Sequence, residues 1–220
     1  MSAAVASTRK PRKKLSTGAR RAIWIGVGVL VLLGLVLGTR VVPSGDPLAQ
    51  GNVQFDPATF GAEKFPTVQS AVSDRAVDAT TLAAAIAADP AAAASTYAVQ
   101  SSGGPVYSVT FTGQVGTGQS GIYPVTVPGV PANLLIRVQT GPAINGTELR
   151  DATGDITFGQ FKNQIEFQNA AAALNDELKK EVLANVDASS LTGKTITVTG
   201  AFTGVNPAAW LVTPVKLEVK

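Results

Sequence analysis

The 220-residue chain is long enough for an anchor and one domain of ordinary size, and it contains neither cysteine nor histidine. Disulfides, Cys/His zinc sites and Ser-His-Asp or Cys-His centres are therefore excluded, and the domain must be held by its core alone. The net charge of +3 hides a division: residues 1–40 carry eight Lys and Arg and no acid, so the remainder has a net charge of −5. No nucleic-acid-binding face is expected on it.

The first 21 residues read as a basic cytoplasmic tail, with seven positive charges between Arg9 and Arg21. Residues 22–38, AIWIGVGVLVLLGLVLG, then run without a charge. As a helix this run spans about 25 Å, near the short end of what a bilayer core requires. Trp24 stands where an interfacial aromatic belongs, and Arg40 can snorkel at the far end. The segment is therefore expected to be a single-pass signal-anchor, with the basic flank in the cytoplasm and the C-terminal domain outside it. A cleaved signal peptide is the main rival, but Gly38-Thr39-Arg40-Val41-Val42 is a poor cleavage site. A buried helix of a soluble protein would leave the flanking charges unexplained.

Residues 39–55, with Pro43, Pro47 and several small residues, read as a linker. From 56 to 98 the pattern predicts small helices that brace a larger element. Asp56-Pro57 supplies a cap and a first helical residue, and Pro66 is expected to open a second segment with Val68, Ala71 and Val72 inward. Asp78 or Thr80 can cap Leu82–Ile86. Asp89-Pro90 ends that run and starts an Ala-rich turn.

Residues 99–220 are β-rich. Tyr107, Val109 and Phe111 alternate with polar residues, as in a half-buried strand. Gly116–Gly121 reads as a turn, Ile122–Val127 as a second strand made an edge by Pro124, and Leu134–Thr140 as a third. Ile156–Phe158 is expected to be a short strand. Phe167, Ala171, Leu174, Leu178 and Val182 recur at helical spacing. Thr195–Ala201 and Leu211–Val219 close the chain. Three strands, a helix and two strands is the order of a five-stranded OB-type barrel. The fold class expected is thus mainly β (α+β), a barrel with accessory helices behind one transmembrane helix.

Gly141-Pro142, Gly146-Thr147, Leu149-Arg150-Asp151, Phe158, Phe161, Asn163-Gln164-Ile165 and Leu174-Asn175 together resemble a family of predicted periplasmic lipoproteins, domain of unknown function 2291. The likeness continues through Gly193-Lys194, Gly200-Ala201-Phe202 and Thr213-Pro214-Val215, and takes in Asp89-Pro90-Ala91. The resemblance implies an exported, membrane-tethered protein with an OB-like fold and no established activity, of a family that tends to be encoded beside sugar ABC-transporter components, which makes those components the candidate partners. This chain departs from the pattern in having no lipobox cysteine, so the helix at 22–38 is expected to replace the lipid.

The polar residues concentrate between 145 and 166. Asn145, Thr147, Arg150, Asp151, Asn163 and Gln164 are the candidates for contacting a small sugar or a partner, with Phe158 and Phe161 able to stack on a sugar face. The alternative is structural: Arg150 and Asp151 tie the loop to the barrel, while Asn163 and Gln164 satisfy backbone groups at a helix start. Asp151 with Asp155, or Glu148 with Glu166, are pairs that a glycan hydrolase would need at a set separation. Fifteen acids produce such pairs by chance, and no catalytic residue, cofactor or metal is assigned. Gly113, Gly116, Gly118 and Gly121 lie between strands, which makes a hairpin turn of them and not a phosphate loop. The expected function is that of a non-enzymatic binding or accessory module linked to sugar transport, with direct sugar binding as the alternative.

Overall fold

The computed structural model describes residues 55–220 together with Gly18, Trp24, Gly26 and Val27, all four of which are helical. Residues 54–220 form one compact unit, distinct from residues 1–53. Among the described residues no helix is long and apolar enough to cross a membrane. The expected span at 22–38 and the linker at 39–55 lie almost wholly outside them.

Helix α1 (Pro57–Arg75) starts where Asp56 accepts hydrogen bonds from the N–H groups of Ala58 and Thr59, with Pro57 in the first turn. It runs unbroken through Pro66, contrary to the expected second segment. Pro66 and Ala62, whose carbonyl loses its helical partner, both face solvent, and water can replace the missing donor. Phe65, Val68 and Val72 form the buried stripe.

Strand β1 (Val77–Asp78) is followed by α2 (Ala79–Ala88), capped by Asp78, and α3 (Pro90–Tyr97), capped by Asp89. Strands β2 (Ala98–Ser101), β3 (Gly104–Val115), β4 (Ile122–Thr126) and β5 (Leu135–Gln139) come next. A short helix α4 (Glu148–Asp151) and helix α5 (Gln164–Leu178) precede β6 (Thr195–Thr203) and β7 (Ala209–Val219).

The strands close in the order β3-β4-β5-β7-β6, with β6 returning to β3 along Val106↔Thr203 to Gln114↔Thr195. Only β5 and β7 pair in parallel within this ring, from Leu135↔Ala209. This is the five-stranded OB-type barrel. Beyond the ring, the free edge of β3 is filled in turn by β2 at Gly104–Tyr107 and by β1 at Val109 and Thr110 before β4 joins at Gln114.

Alternation along the strands sends two sets of side chains to two cores. Tyr107, Val109, Phe111, Val198, Phe202, Trp210 and Val212 pack together with Leu82, Ala83 and Ile86 of α2 and Ala93 of α3. Val106, Ala201 and Val215 pack on Phe65, Val68 and Val72 of α1 and on Leu174 and Leu178 of α5. The β6–β7 register shifts between Thr199 and Gly200.

Two strand expectations change. Pro124 does not mark an edge, because β4 lies between β3 and β5. Its carbonyl accepts from Gly116, just past the last β3–β4 pair, so the missing N–H falls where pairing on that side has ended. Ile156–Phe158 is not a strand either. Ile156 is buried, but Thr157 leads into a 3₁₀ turn at Phe158–Gln160, where Gln160 accepts from the Thr157 N–H and donates to the Asp155 carbonyl. The local side-chain bonds replace a ladder that has no neighbouring strand to complete it.

Candidate functional site

The chain leaves β5 through a loop, residues 140–147, which sits against the barrel by backbone contact. Gly121, at φ +75°, offers its carbonyl to the N–H of Thr140 at 2.7 Å. A Cβ there would stand 1.5 Å from the Gly141 carbonyl oxygen, so only glycine fits. Gln139 holds the loop from below: its amide nitrogen donates to the Asn145 carbonyl at 3.2 Å and to the Thr213 hydroxyl at 2.8 Å. Asn175 of α5, buried, donates to the Gly146 carbonyl at 3.1 Å.

The loop ends in α4, whose polar side chains turn inward. Arg150 is 4 % exposed and Asp151 9 %. The pair is bidentate, with Arg150 Nε 2.7 Å from Asp151 Oδ1 and Nη2 3.0 Å from Oδ2. Thr147 donates its hydroxyl to Oδ2 at 2.7 Å. Arg150 Nη1 donates to the Phe167 carbonyl at 3.2 Å, and the guanidinium lies 3.6 Å over the Phe167 ring. Charge, planar hydrogen bonding and the cation–π contact are all satisfied inside the protein.

The six sequence-predicted residues therefore separate. Thr147, Arg150 and Asp151 form one closed cluster that fastens α4 to the first turns of α5. Asn163 is the N-cap of α5, accepting from the Glu166 N–H at 2.9 Å, and Gln164 is exposed on its first turn. Asn145 is exposed, and its backbone is engaged by Gln139. None of the six lines any of five cavities, of about 370, 320, 230, 480 and 220 Å³, on this domain. The largest of these is bordered by Arg75, Tyr97 and Thr153, and there the Arg75 guanidinium is occupied by the carbonyls of Ala152 and Thr153, at 3.1 and 3.2 Å, just past the end of α4.

Sequence reading overlooked the polar residues that strands and helices bury: Gln139, Thr213 and Asn175. Each sits in an apolar pattern where a polar residue needs a fixed partner, which is the signal that could have flagged them. Glu148, named from sequence only as half of a carboxylate pair with Glu166, is drawn inward as well. Burial holds its carboxyl above the usual carboxylate range, with the Thr203 and Thr213 hydroxyls partly offsetting this, and its Oε2 has no hydrogen-bond partner among the described residues.

A family model described as predicted periplasmic lipoprotein (DUF2291) matches residues 29–218. No curated protein matches. Among solved structures, an OB-fold protein from Thermotoga maritima is similar with a TM-score of 0.60 at 20 % identity, covering 76 % of this chain and 99 % of that one. That likeness bears on the fold alone.

Proposed function

The chain belongs to DUF2291, the family of predicted periplasmic lipoproteins, and from that premise we propose that it is a non-enzymatic accessory module of sugar ABC transport. It is anchored by residues 22–38, with the N-terminus cytoplasmic and the domain outside the cytoplasmic membrane. The family match begins inside the apolar run, which supports assigning that run the tethering role. With no cysteine to carry a lipid, the helix does this work here.

The observation that carries the module reading is the closure of the Thr147, Arg150 and Asp151 cluster on itself. The residues best suited to grip a sugar are spent on holding the loop and α5 together, so the domain works through a protein partner, a component of the transporter. The second reading is direct sugar binding by Asn145, Asn163 and Gln164. In its favour are the exposure of these three amides and of Phe158, 50 % exposed.

Isothermal calorimetry of the full chain against a panel of mono- and disaccharides separates the two. The accessory reading expects no heat with any sugar. A saturable heat that Asn163→Ala and Gln164→Ala abolish would overturn it in favour of direct binding.

A further inference from the structure

Five of the chain's eight phenylalanines meet in one cluster. Phe55 packs on Phe60 and Phe161 at 5.4 and 5.3 Å between centroids, and Phe60 and Phe161 stand 5.7 Å apart. Phe161 and Phe158 both lean on Phe167, at 5.4 and 5.7 Å. The cluster is fixed from within. Arg150 lies over the Phe167 ring, and Phe60, Phe161 and Phe167 pack on the core that α1 and α5 share. It is not covered from without: Phe158 is 50 % exposed and the other four rings are half-buried. Ile165, two residues before Phe167, is 72 % exposed.

Apolar residues exposed singly need no explanation, but a connected aromatic patch marks a surface that is covered in use. The place where the chain enters the domain says by what. Phe55 belongs to the patch, and only sixteen residues, 39–54, separate it from the apolar run at 22–38. Whatever their conformation, sixteen residues span at most about 55 Å. A compact unit of the size of residues 54–220 is about 40 Å across. With the run at 22–38 in a bilayer, the patch could face away from the membrane only if those sixteen residues were drawn nearly taut.

We propose that this aromatic patch docks into the interfacial layer of the membrane that anchors the chain, with Phe158 as the leading ring. The rings bury apolar area at the boundary between headgroups and acyl chains, as the apolar face of an interfacial helix does. Within three positions of the five rings the chain carries the acids Asp56, Glu63, Asp155 and Glu166 but one base, Lys162. Attraction to anionic lipid therefore does not drive the contact. Neutral lipid suffices, and salt has little effect. The docking rests on the anchored reading but not on a transporter as partner, and it fixes the orientation of the domain over the membrane.

The chain has no cysteine, so one introduced cysteine carries a spin label at a single site. Gly159→Cys puts the label beside Phe158 and leaves all five rings, because a Cβ at Gly159 meets nothing within 4 Å. Thr192→Cys is the control. Thr192 is exposed and precedes Gly193, which bonds to Val115 at the other end of β3 from Val106, the β3 residue packed on α1 and α5. The full chain is reconstituted in phosphatidylcholine vesicles with a water-soluble nickel chelate on both sides of the bilayer. Electron paramagnetic resonance power saturation then reads each label's access to oxygen and to the chelate. The label at 159 is expected to lose access to the chelate and gain access to oxygen, at low and at high salt, while the label at 192 stays open to the chelate. Adding Phe158→Asp should restore chelate access at 159 without releasing the chain from the vesicles. Equal chelate access at 159 and 192, in a chain that floats with the vesicles, would overturn the docking alone and leave the patch to a protein partner. Shielding at 159 that Phe158→Asp does not relieve, or that high salt abolishes, would overturn it too. A chain that does not float with the vesicles would overturn the anchored reading as well.

Discussion

Replacing Asp151 with alanine tests whether the polar cluster belongs to the scaffold. Asp151 supplies both acceptors of the bidentate pair and also receives the Thr147 hydroxyl. Its loss leaves the Arg150 guanidinium with the Phe167 carbonyl and ring, but without a counter-charge, at a side-chain exposure of 5 %. A buried charge stranded in this way costs about 3–5 kcal/mol. For a folded unit of this size, that lowers Tm by roughly 8–16 °C. Replacing Arg150 with methionine in the same chain removes the stranded charge, so the double variant should recover about 1–3 kcal/mol relative to the sum of the single losses. Thermal unfolding of the full chain in mild detergent, followed by far-UV circular dichroism, measures all three. Charged groups kept for a ligand usually cost stability, and their removal is neutral or stabilising. A Tm for Asp151→Ala within about 2 °C of the parent, or above it, would refute the scaffold reasoning.

Three further outcomes follow from the same geometry. Glu148 has a folded-state pKa raised above its usual 4.5, so the folded protein binds that proton more tightly than the unfolded one. Its ionisation therefore weighs against folding at neutral pH, and this penalty is relieved as pH falls through the raised value. Urea midpoints of Glu148→Gln and of the parent should differ most near pH 7 and converge towards pH 4, and parallel profiles would contradict the assignment. Gly121→Ala should destabilise severely, since about 1–3 kcal/mol for the left-handed backbone is joined by a clash with the Gly141 carbonyl; a loss below 1 kcal/mol in chemical denaturation would be incompatible with that contact. Phe65→Ala, fully buried between α1 and the outer face of the barrel, should cost about 3–5 kcal/mol by the same measurement.

Much of the barrel was legible because its strands bury one face each. The alternation at Tyr107–Phe111, the apolar run at Leu134–Thr140 and the two closing strands each carry a period of two, and their order around one amphipathic helix suffices for the OB-type topology. What failed was set by partners that sequence does not show. Strand β1 is two residues long and exists because β3 has an unfilled edge at Val109 and Thr110. Pro66 looked like a helix start because a local rule was applied without knowing that its face is in solvent. Ile156 was apolar for burial in a loop, and Gln160 supplied the local bonds that kept Thr157 and Phe158 out of a ladder.

The polar stretch was legible as a concentration of residues, but not in direction. Arg150 and Asp151 are readable from sequence as a sugar grip or as residues that tie the loop to the barrel. Their relation is decided by Phe167, seventeen positions away, which offers its carbonyl and its ring to the guanidinium. The stacking of Tyr107, Phe202 and Trp210 left no signal of its own, because the three rings come together only when β3, β6 and β7 close.

We propose that the domain works beside a transporter, outside the membrane, held by the apolar segment at 22–38. Cross-linking of the C-terminally tagged full chain in its native membranes, followed by purification and mass spectrometry, tests it most directly. Sugar ABC-transporter subunits are expected to be enriched over an unrelated anchored control, together with an intact chain retaining residues 1–40. Repeated recovery of a form starting near residues 41–50, with no transporter component, would contradict it.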